Sequence, residues 1–130
     1  MKIFGIGTDI VNINRLKKTF KSNGDIFKKK IFSKNEIIYC ENKKNSISSY
    51  AKRFAAKEAF SKALGTGIRK EIQFKNIEVL NDSYGKPYIV LNILTEKYLK
   101  KRIKTKKYFI YLSLSDDLPW AQATVIISYN

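Results

Sequence analysis

The sequence predicts an α+β fold, with a mainly antiparallel sheet packed against one long helix and several short helices. Two observations support this prediction. Apolar residues recur at helical spacing through much of residues 13–64, whereas from residue 74 onward most segments have the period of two that is typical of strands. Helices and strands are therefore largely segregated along the chain, which favours α+β over a regularly alternating fold. With 130 residues, 44% of them hydrophobic, and no repeat or linker, we expect residues 1–130 to form a single domain.

The first predicted element is a buried strand over residues 2–11. Gly5 and Gly7 would let another backbone or a ligand come close to it. Asp9 lies near its end, where an isolated aspartate most commonly caps the following helix, a role that Asn12 could also take. The bulk of the strand comes from Ile3, Phe4, Ile6, Ile10 and Val11.

Three short helices are predicted next. Apolar residues recur at helical spacing in residues 13–20, a second helix covers residues 25–31, and Ser33-Lys34-Asn35-Glu36 is a capping box that opens a third. Asp25 is the only acidic residue between positions 14 and 34, so these helices carry a surface of one charge sign that suits an acidic partner. A run of like charges is more commonly just a solvated face.

The strongest helix signal covers residues 47–64 and contains one residue out of place. Ser46 can cap this helix, and Gly65 can end it in the left-handed conformation. Glu58 falls within the apolar stripe, where a carboxylate is costly unless a cation or a metal ion meets it. The alternatives are a side chain that reaches the surface, or a simple pair with Lys62 that contributes ~0.3 kcal/mol. The stripe consists of Ile47, Tyr50, Ala51, Phe54 and Ala55, and the flanks that water can reach carry Lys52, Arg53 and Lys57.

The carboxy-terminal part of the chain predicts two hairpins and a helix. Strands over residues 76–80 and 88–91 enclose the loop NDSYGKP, and residues 95–103 suit a helix. Residues 108–115 and 120–128 have the pattern of two long strands. They are joined by a tight turn of Asp116, Asp117, Leu118 and Pro119.

Composition excludes several kinds of chemistry. The chain has no histidine, which removes the serine, cysteine and metallohydrolase mechanisms that need imidazole as base or ligand. The single cysteine, Cys40, cannot form an intrachain disulfide. A net charge of +15 attracts nucleic acid, phosphates or an acidic protein, although lysines scattered over solvated faces need no ligand. Because the chain has no apolar run of ~20 residues and no signal-peptide layout at its start, we expect a cytosolic protein without a membrane partner.

Three separated segments resemble one family: GIGTDIV at residues 5–11, RFAAKEAFSKALGTGI at residues 53–68 and NDSYGKPYI at residues 81–89. Together they are similar to holo-acyl-carrier-protein synthase, the short bacterial type of phosphopantetheinyl transferase. That family has Gly-x-Asp followed some tens of residues later by Phe-x-x-Lys-Glu-Ala-x-x-Lys, and each piece alone is a weak pattern. Their order, spacing and fit to the full chain length make the resemblance specific. The matching residues are Gly7, Asp9, Phe54, Lys57, Glu58, Ala59 and Lys62.

The resemblance implies transfer of the 4'-phosphopantetheine arm of coenzyme A to a serine of acyl carrier protein, with release of adenosine 3',5'-bisphosphate, in fatty acid biosynthesis. Mg²⁺ is the implied cofactor, held by Asp9 and Glu58 together with the diphosphate and waters. Glu58 and Lys62 are the implied catalytic residues. Lys62 would stabilise or protonate the departing oxygen, and without histidine the serine proton leaves to a metal-bound water or to Glu58.

The resemblance also implies binding surfaces. Arg53 and Lys57 fit the 3'-phosphate of the coenzyme, and Gly85, Lys86 and Pro87 form part of the nucleotide pocket. The family forms homotrimers with three active sites, each between adjacent subunits. Because acyl carrier protein is acidic, basic residues of the amino-terminal helices are candidates for its docking surface. The candidates are Arg15, which we rank first, Lys18, Lys21 and Lys28.

One position departs from the family pattern. Many members carry a histidine soon after the Ser-x-Ser/Thr of the penultimate strand, where this chain has Ser113-Leu114-Ser115-Asp116-Asp117. An aspartate against an anionic coenzyme is repulsive unless it faces a base, a water or a hydroxyl. We therefore expect a turn role for Asp116.

Two functions from other classes compete with this reading. A basic nucleic-acid-binding domain fits the charge of +15 and eight tyrosines that could stack on bases, but it leaves Asp9 and Glu58 unexplained. A catalytically silent scaffold would keep its measured properties in Asp9→Ala and Glu58→Ala variants. We rank the transferase first and expect no specific nucleic-acid partner.

Overall fold

A central helix packed on a three-stranded antiparallel sheet forms the frame of the molecule in the computed structural model, which describes all 130 residues. The sheet has the strand order β1-β5-β4, and a separate hairpin pairs β2 with β3. The predicted α+β class is confirmed. The elements in chain order are β1 (Lys2–Asn12), α1 (Ile13–Ile31), α2 (Lys34–Glu41), α3 (Ser46–Leu64), a 3-10 turn (Phe74–Asn76), β2 (Ile77–Asn81), β3 (Pro87–Leu91), α4 (Ile93–Ile103), β4 (Tyr108–Asp117) and β5 (Trp120–Tyr129).

Two glycines bring β1 against α3 at backbone distance. A Cβ atom added to Gly5 would lie 1.9 Å from the carbonyl oxygen of Ala63, and one added to Gly7 would lie 1.9 Å from that of Ala59. No side chain fits in that space, so the predicted close approach of another backbone is confirmed. The contact fixes β1 along α3.

The outer face of the sheet differs from the expectation of a buried first strand. Ile3, Ile6 and Ile10 are 67%, 67% and 60% exposed. The side chains of a strand alternate between two faces, and in β1 the face toward α3 carries the glycines. These three isoleucines therefore point away from the core, together with Phe109 and Tyr111 of β4, whereas Phe4 and Val11 pack against the core.

Local signals placed most helix ends correctly. Ser33 and Glu36 form the predicted capping box, and Gly65 ends α3 with φ +85°. The two helices expected over residues 13–31 form one element, α1, with non-helical geometry at Asn23. The kink at Asn23 divides α1 into two shorter helices, as predicted, so α3 is the one long uninterrupted helix of the chain. The cap of α3 is Asn45, whose side chain accepts a hydrogen bond from the Ser48 amide, and not Ser46.

Helix α3 is buried on nearly every side. It contacts β1, β5, α1, α2 and β2, and the main core lies between this helix, the sheet and α4. Buried residues run along it from Ser48 to Leu64. No helix of the molecule combines the length and apolar character needed to cross a lipid bilayer.

Candidate active site

Asp9 and Glu58 face the same pocket, between β1 and α3. The pocket has a volume of about 330 Å³, and Asn12, Arg15 and Phe54 also line it. Asp9 lies inside β1, where it pairs in register with Ala123, and it caps no helix. The cap of α1 is Asn12, whose side chain accepts a hydrogen bond from the Arg15 amide at 3.1 Å. Asp9 therefore has no capping role, and its side chain lines the pocket.

Glu58 is the residue of this pocket whose pKa is shifted by its surroundings. Burial raises the pKa of the Glu58 carboxyl, and the negative charge of Asp9 raises it further, while Lys62 acts in the opposite direction. Two carboxylates that influence each other in a half-buried pocket repel, so a cation between them would relieve the repulsion. Such a cation would explain how a carboxylate can persist within the apolar side of α3.

Lys62 pairs with Asp9 rather than with Glu58. Its ammonium donates to the Asp9 carboxylate at 3.0 Å and to the Thr8 carbonyl at 3.0 Å. The alternative of a simple Glu58–Lys62 surface pair is therefore wrong. The Lys62 side chain remains 52% exposed, although it does not itself line the pocket.

The two carboxylates suit a divalent cation whose remaining ligands come from a substrate and from water. The structure contains no cluster of three or more histidine, cysteine, aspartate or glutamate side chains that could hold a metal on its own. Mg²⁺ is commonly bound by only one or two carboxylates, with waters and substrate phosphates completing the octahedron. Asp9 and Glu58 supply that number of hard oxygen ligands in one open pocket.

A second, strongly basic pocket lies on the other flank of α3. It has a volume of about 520 Å³ and brings together three of the predicted coenzyme residues, Arg53, Gly85 and Pro87. Lys86 is exposed on the same loop but does not line the pocket. Sequence reasoning missed the other polar residues of its wall, for which the only available signal was their charge or their nearness to Arg53. They include Lys43, Lys44, Ser48 and Lys52.

Arg53 is buried at the base of this basic pocket. Only 2% of it is exposed, its guanidinium lies 4.0 Å from the centre of the Tyr39 ring, and it donates a hydrogen bond to the Asn81 side chain. Two buried polar atoms here have no hydrogen-bond partner, Arg53 Nε and Ser48 Oγ. Buried donors without partners are rare in folded proteins, so these two atoms are distinctive features of the pocket.

Lys57 was expected on a flank of α3 that water reaches, and this prediction is wrong. The side chain is fully buried, and its ammonium donates to the Glu36 carboxylate at 2.7 Å and to the carbonyls of Phe74 and Ile77 at 2.8 and 2.7 Å. All three donors are therefore used inside the protein, and none is left for a coenzyme phosphate. The prediction failed because it assumed a helix buried on one face only.

Asp116 also differs from its expected turn role. It is the penultimate residue of β4, and the hairpin turn contains only Leu118 and Pro119. Its carboxylate pairs with the Lys52 ammonium at 3.2 Å on the wall of the basic pocket. The positive charge of Lys52 balances the Asp116 carboxylate, so Asp116 can lie beside an anionic ligand.

Three of the four predicted docking residues are exposed on α1. They are Arg15, Lys18 and Lys21. Arg15 additionally lines the pocket of Asp9 and Glu58, so it joins the basic surface to the candidate metal ligands. Lys28 is turned toward the protein, where its ammonium lies 5.2 and 5.1 Å from the centres of the Phe20 and Tyr50 rings and 3.5 Å from the Glu41 carboxylate.

Comparisons with known proteins find relatives that cover nearly the whole chain. The chain is 46% identical over 127 residues to a holo-[acyl-carrier-protein] synthase of Pelagibacter ubique, which covers 98% of each chain. Its structure is similar to that of holo-[acyl-carrier-protein] synthase from Neisseria meningitidis, with a TM-score of 0.89 at 36% identity, over 97% of this chain and 98% of that one. The Bacillus anthracis synthase in complex with CoA (3',5'-ADP) has a TM-score of 0.82 at 36% identity over 100% of both chains.

A sequence model of one family covers most of the chain. Residues 5–123 match it, a segment that contains Asp9, Arg53, Glu58, Lys62 and the loop before Pro87. The resemblance found in the three sequence segments is thus confirmed over nearly the full length. This chain belongs to the 4'-phosphopantetheinyl transferase superfamily, among the proteins of the holo-[acyl-carrier-protein] synthase type.

Proposed function

We propose that the protein is a holo-[acyl-carrier-protein] synthase that acts in fatty acid biosynthesis. It transfers the 4'-phosphopantetheine arm of coenzyme A to a serine of acyl carrier protein and releases adenosine 3',5'-bisphosphate. The observation that carries this proposal is the convergence of Asp9 and Glu58 in one pocket of a chain that belongs to this family. The basic pocket on the other flank of α3 supports it, because it supplies the cations that an anionic coenzyme needs.

Asp9 and Glu58 would hold Mg²⁺ at this site. When bound, the ion would supply positive charge to the diphosphate of coenzyme A and so favour departure of the nucleotide. The raised pKa of Glu58 supports this assignment, because a buried carboxylate beside a second one gains most from a cation. The proton of the attacking serine hydroxyl would leave to Glu58 or to a water of the site.

Lys62 would stabilise the departing phosphate oxygen. Its ammonium is held in place by Asp9 and by the Thr8 carbonyl, each at 3.0 Å, and half of the side chain remains exposed. An ammonium fixed in advance beside the reacting phosphate acts as a preorganised charge, which is a major source of catalysis in phosphoryl-transfer reactions.

The nucleotide end of coenzyme A would occupy the basic pocket. Arg53 Nε and Ser48 Oγ have no partner within the protein and would each meet a ligand oxygen. Lys43, Lys44 and Lys52 add positive charge to the pocket, and Gly85 and Pro87 also line it. These features fit the anionic 3'-phosphate and ribose of the coenzyme.

Acyl carrier protein would dock on the basic face of α1. Arg15 is the central residue of this proposal, because it is exposed on α1 and also lines the pocket of Asp9 and Glu58. An acidic partner that approaches Arg15, Lys18 and Lys21 would present its serine to that pocket. Reaction with free coenzyme A and carrier protein would take place in the cytosol.

A homotrimer with active sites between adjacent subunits is part of the proposal. The outer face of the sheet supports it, because Ile3, Ile6, Ile10 and Tyr111 leave large apolar surfaces exposed on neighbouring strands. Light scattering coupled to gel filtration of the wild type and of an Ile6→Lys variant tests it. We expect the wild type to be a trimer and the lysine of the Ile6→Lys variant to dissociate it. A monomeric wild type would contradict this part of the proposal.

The transferase activity is tested by intact mass spectrometry of apo-acyl carrier protein after incubation with the protein, coenzyme A and Mg²⁺. We expect a gain of about 340 Da, the phosphopantetheinyl arm, which EDTA abolishes. The matched variant is Glu58→Gln, which removes the charge and keeps the size of the side chain. Folded wild-type protein that modifies none of several carriers would contradict the proposal and favour a salt-sensitive nucleic-acid-binding function.

A further inference from the structure

A buried ion pair joins α2 to α3 beneath the basic pocket. Glu36 and Lys57 lie 2.7 Å apart, and both side chains are fully buried. Burial lowers the pKa of the Lys57 ammonium, which the Glu36 carboxylate partly offsets. Removing two charges from water is costly, and such a pair seldom stabilises a protein more than apolar residues would. The pair therefore calls for a role other than simple stabilisation.

Each member of the pair also binds backbone groups that lead to strand β2. Lys57 donates to the carbonyls of Phe74 and Ile77 at 2.8 and 2.7 Å. Glu36 accepts from the Val79 amide at 3.0 Å and from the Ser33 amide at 2.9 Å. The pair thus ties the start of α2, the middle of α3 and strand β2 together at one buried point.

A second layer repeats this arrangement at the pocket itself. Arg53 lies one turn before Lys57 on α3, Tyr39 one turn after Glu36 on α2, and Asn81 two residues after Val79 on β2. The Arg53 guanidinium lies 4.0 Å from the centre of the Tyr39 ring and donates to the Asn81 side chain. Asn81 in turn donates to the Gly85 carbonyl at 2.9 Å, in the loop that forms the pocket wall.

The two layers share their three backbone elements, so the buried layer determines where the upper layer lies. Residues one helical turn apart, or two residues apart in a strand, lie on the same face of their element, so the positions of the two layers are linked. A displacement of β2 relative to α3 at Val79 would also displace Asn81 and Gly85 relative to Arg53. The geometry of the pocket wall therefore depends on contacts that no ligand reaches.

We propose that Glu36 and Lys57 are positioning residues for the coenzyme pocket. They touch neither substrate and act by holding the hairpin loop against Arg53. The inference rests on the proposed function for the identity of the ligand. Its expected signature is selective: affinity for coenzyme A falls, whereas affinity for the carrier protein, which would dock on α1, is retained.

The test compares Glu36→Gln with the wild type. The oxygen of the glutamine side chain can still accept a hydrogen bond from Lys57. Its NH₂ group, however, would face the backbone N–H of Val79, and two donors cannot hydrogen-bond to each other, so β2 must move. We expect the dissociation constant of coenzyme A, measured by titration calorimetry, to rise about tenfold or more. The turnover at saturating substrates and the affinity for the carrier protein should each change less than about threefold.

Two further variants keep the test decisive. Glu36→Asp retains the charge but shortens the side chain, so it should weaken coenzyme binding less than Glu36→Gln and replaces it if that variant does not fold. Leu99→Ala removes a fully buried side chain of α4 in the main core and serves as the control for lost stability. We expect Leu99→Ala to bind coenzyme A as tightly as the wild type.

The outcomes separate this inference from the proposed function. Glu36 variants that bind coenzyme A as the wild type does, or that lose no more affinity than Leu99→Ala, would overturn it, as would an equal loss of carrier affinity. A wild type that binds coenzyme A without transferring the arm would contradict the transferase alone, and the calorimetric comparison would still decide this inference. A wild type that does not bind coenzyme A would overturn both.

Discussion

Helix α3 carries two lysine–carboxylate pairs only five positions apart, and their surroundings differ completely. The Lys57–Glu36 pair is fully buried, and every donor of the ammonium is used within the protein. In the Lys62–Asp9 pair the lysine is 52% exposed and the aspartate 16%. The contact distances, 2.7 and 3.0 Å, are similar.

The difference shows that solvent access, rather than the pairing itself, separates an architectural ion pair from a reactive one. A buried pair is rigid, and removal of one partner leaves an uncompensated charge. A pair whose lysine is exposed contributes little to stability, since water screens that charge. Only the second can exchange its partner for a ligand. In our proposal, Asp9 and Lys62 therefore serve chemistry, whereas Glu36 and Lys57 serve geometry.

The largest effect is expected from Lys57→Met. This change leaves the Glu36 carboxylate buried without a cation and two carbonyls without a donor, so the free energy of unfolding should fall by about 3–5 kcal/mol. Urea denaturation followed by circular dichroism measures it. A loss below about 1 kcal/mol would show that the buried pair is no more important to the fold than an exposed one.

The matched change at the open pair, Lys62→Met, should have the opposite profile. Its effect on the free energy of unfolding should stay below about 1 kcal/mol, because the lysine is half exposed. Transfer of the phosphopantetheine arm should slow about 10²-fold, as one preorganised charge is lost. Carrier modification under saturating coenzyme A gives the rate. Normal transfer in a folded Lys62→Met protein would remove Lys62 from the mechanism.

A smaller effect is expected at the rim of the open pocket. Arg15→Glu reverses a charge that an acidic carrier would meet, so the KM for the carrier should rise about tenfold while the KM for coenzyme A stays within about twofold. Lys101→Glu makes the same charge change on the exposed face of α4 and is the control for net charge. Equal effects of the two variants would indicate general attraction to a basic protein rather than docking on α1.

The smallest effect concerns the pH dependence of stability. Burial and Asp9 raise the pKa of Glu58 in the folded state above its ordinary value of 4.5, so the folded state binds more protons than the unfolded state as pH rises past that value. Stability should therefore fall as pH increases from 4.5 toward the raised pKa. A Glu58→Gln variant should lack this decline. Melting curves of both proteins in EDTA between pH 4 and 8 measure it, and parallel curves would contradict it.

Signals confined to a few neighbouring residues were predictable from the sequence. The capping box of Ser33 and Glu36 and the left-handed Gly65 need only local geometry, and both are present. Asp9 and Glu58 could be associated because a family motif relates them across nearly fifty residues. The spacing within α3 placed Glu58 beside Phe54, and both line one pocket.

Features that depend on how many neighbours surround an element were not predictable. The same periodicity fits a helix buried on one face and a helix enclosed on nearly every side. Arg53 and Lys57 were therefore predicted to be exposed to solvent, but both are buried. Glu36 was identified only as a capping residue, because its other partners lie 21 and 43 positions away. The outward direction of Ile6 follows from the glycines on the opposite face of β1, which need the helix behind them to be understood.

Replacing glycine by alanine is a common way to stabilise proteins, because it reduces the freedom of the unfolded chain. At Gly5 and Gly7 this strategy would fail. The added methyl group would overlap a carbonyl oxygen of α3, so the helix would have to move away from β1. Asp9 is carried by the strand and Glu58 by the helix. A programme of thermostabilisation should therefore leave both glycines unchanged, since a single methyl group at either would alter the spacing of the two carboxylates without touching them.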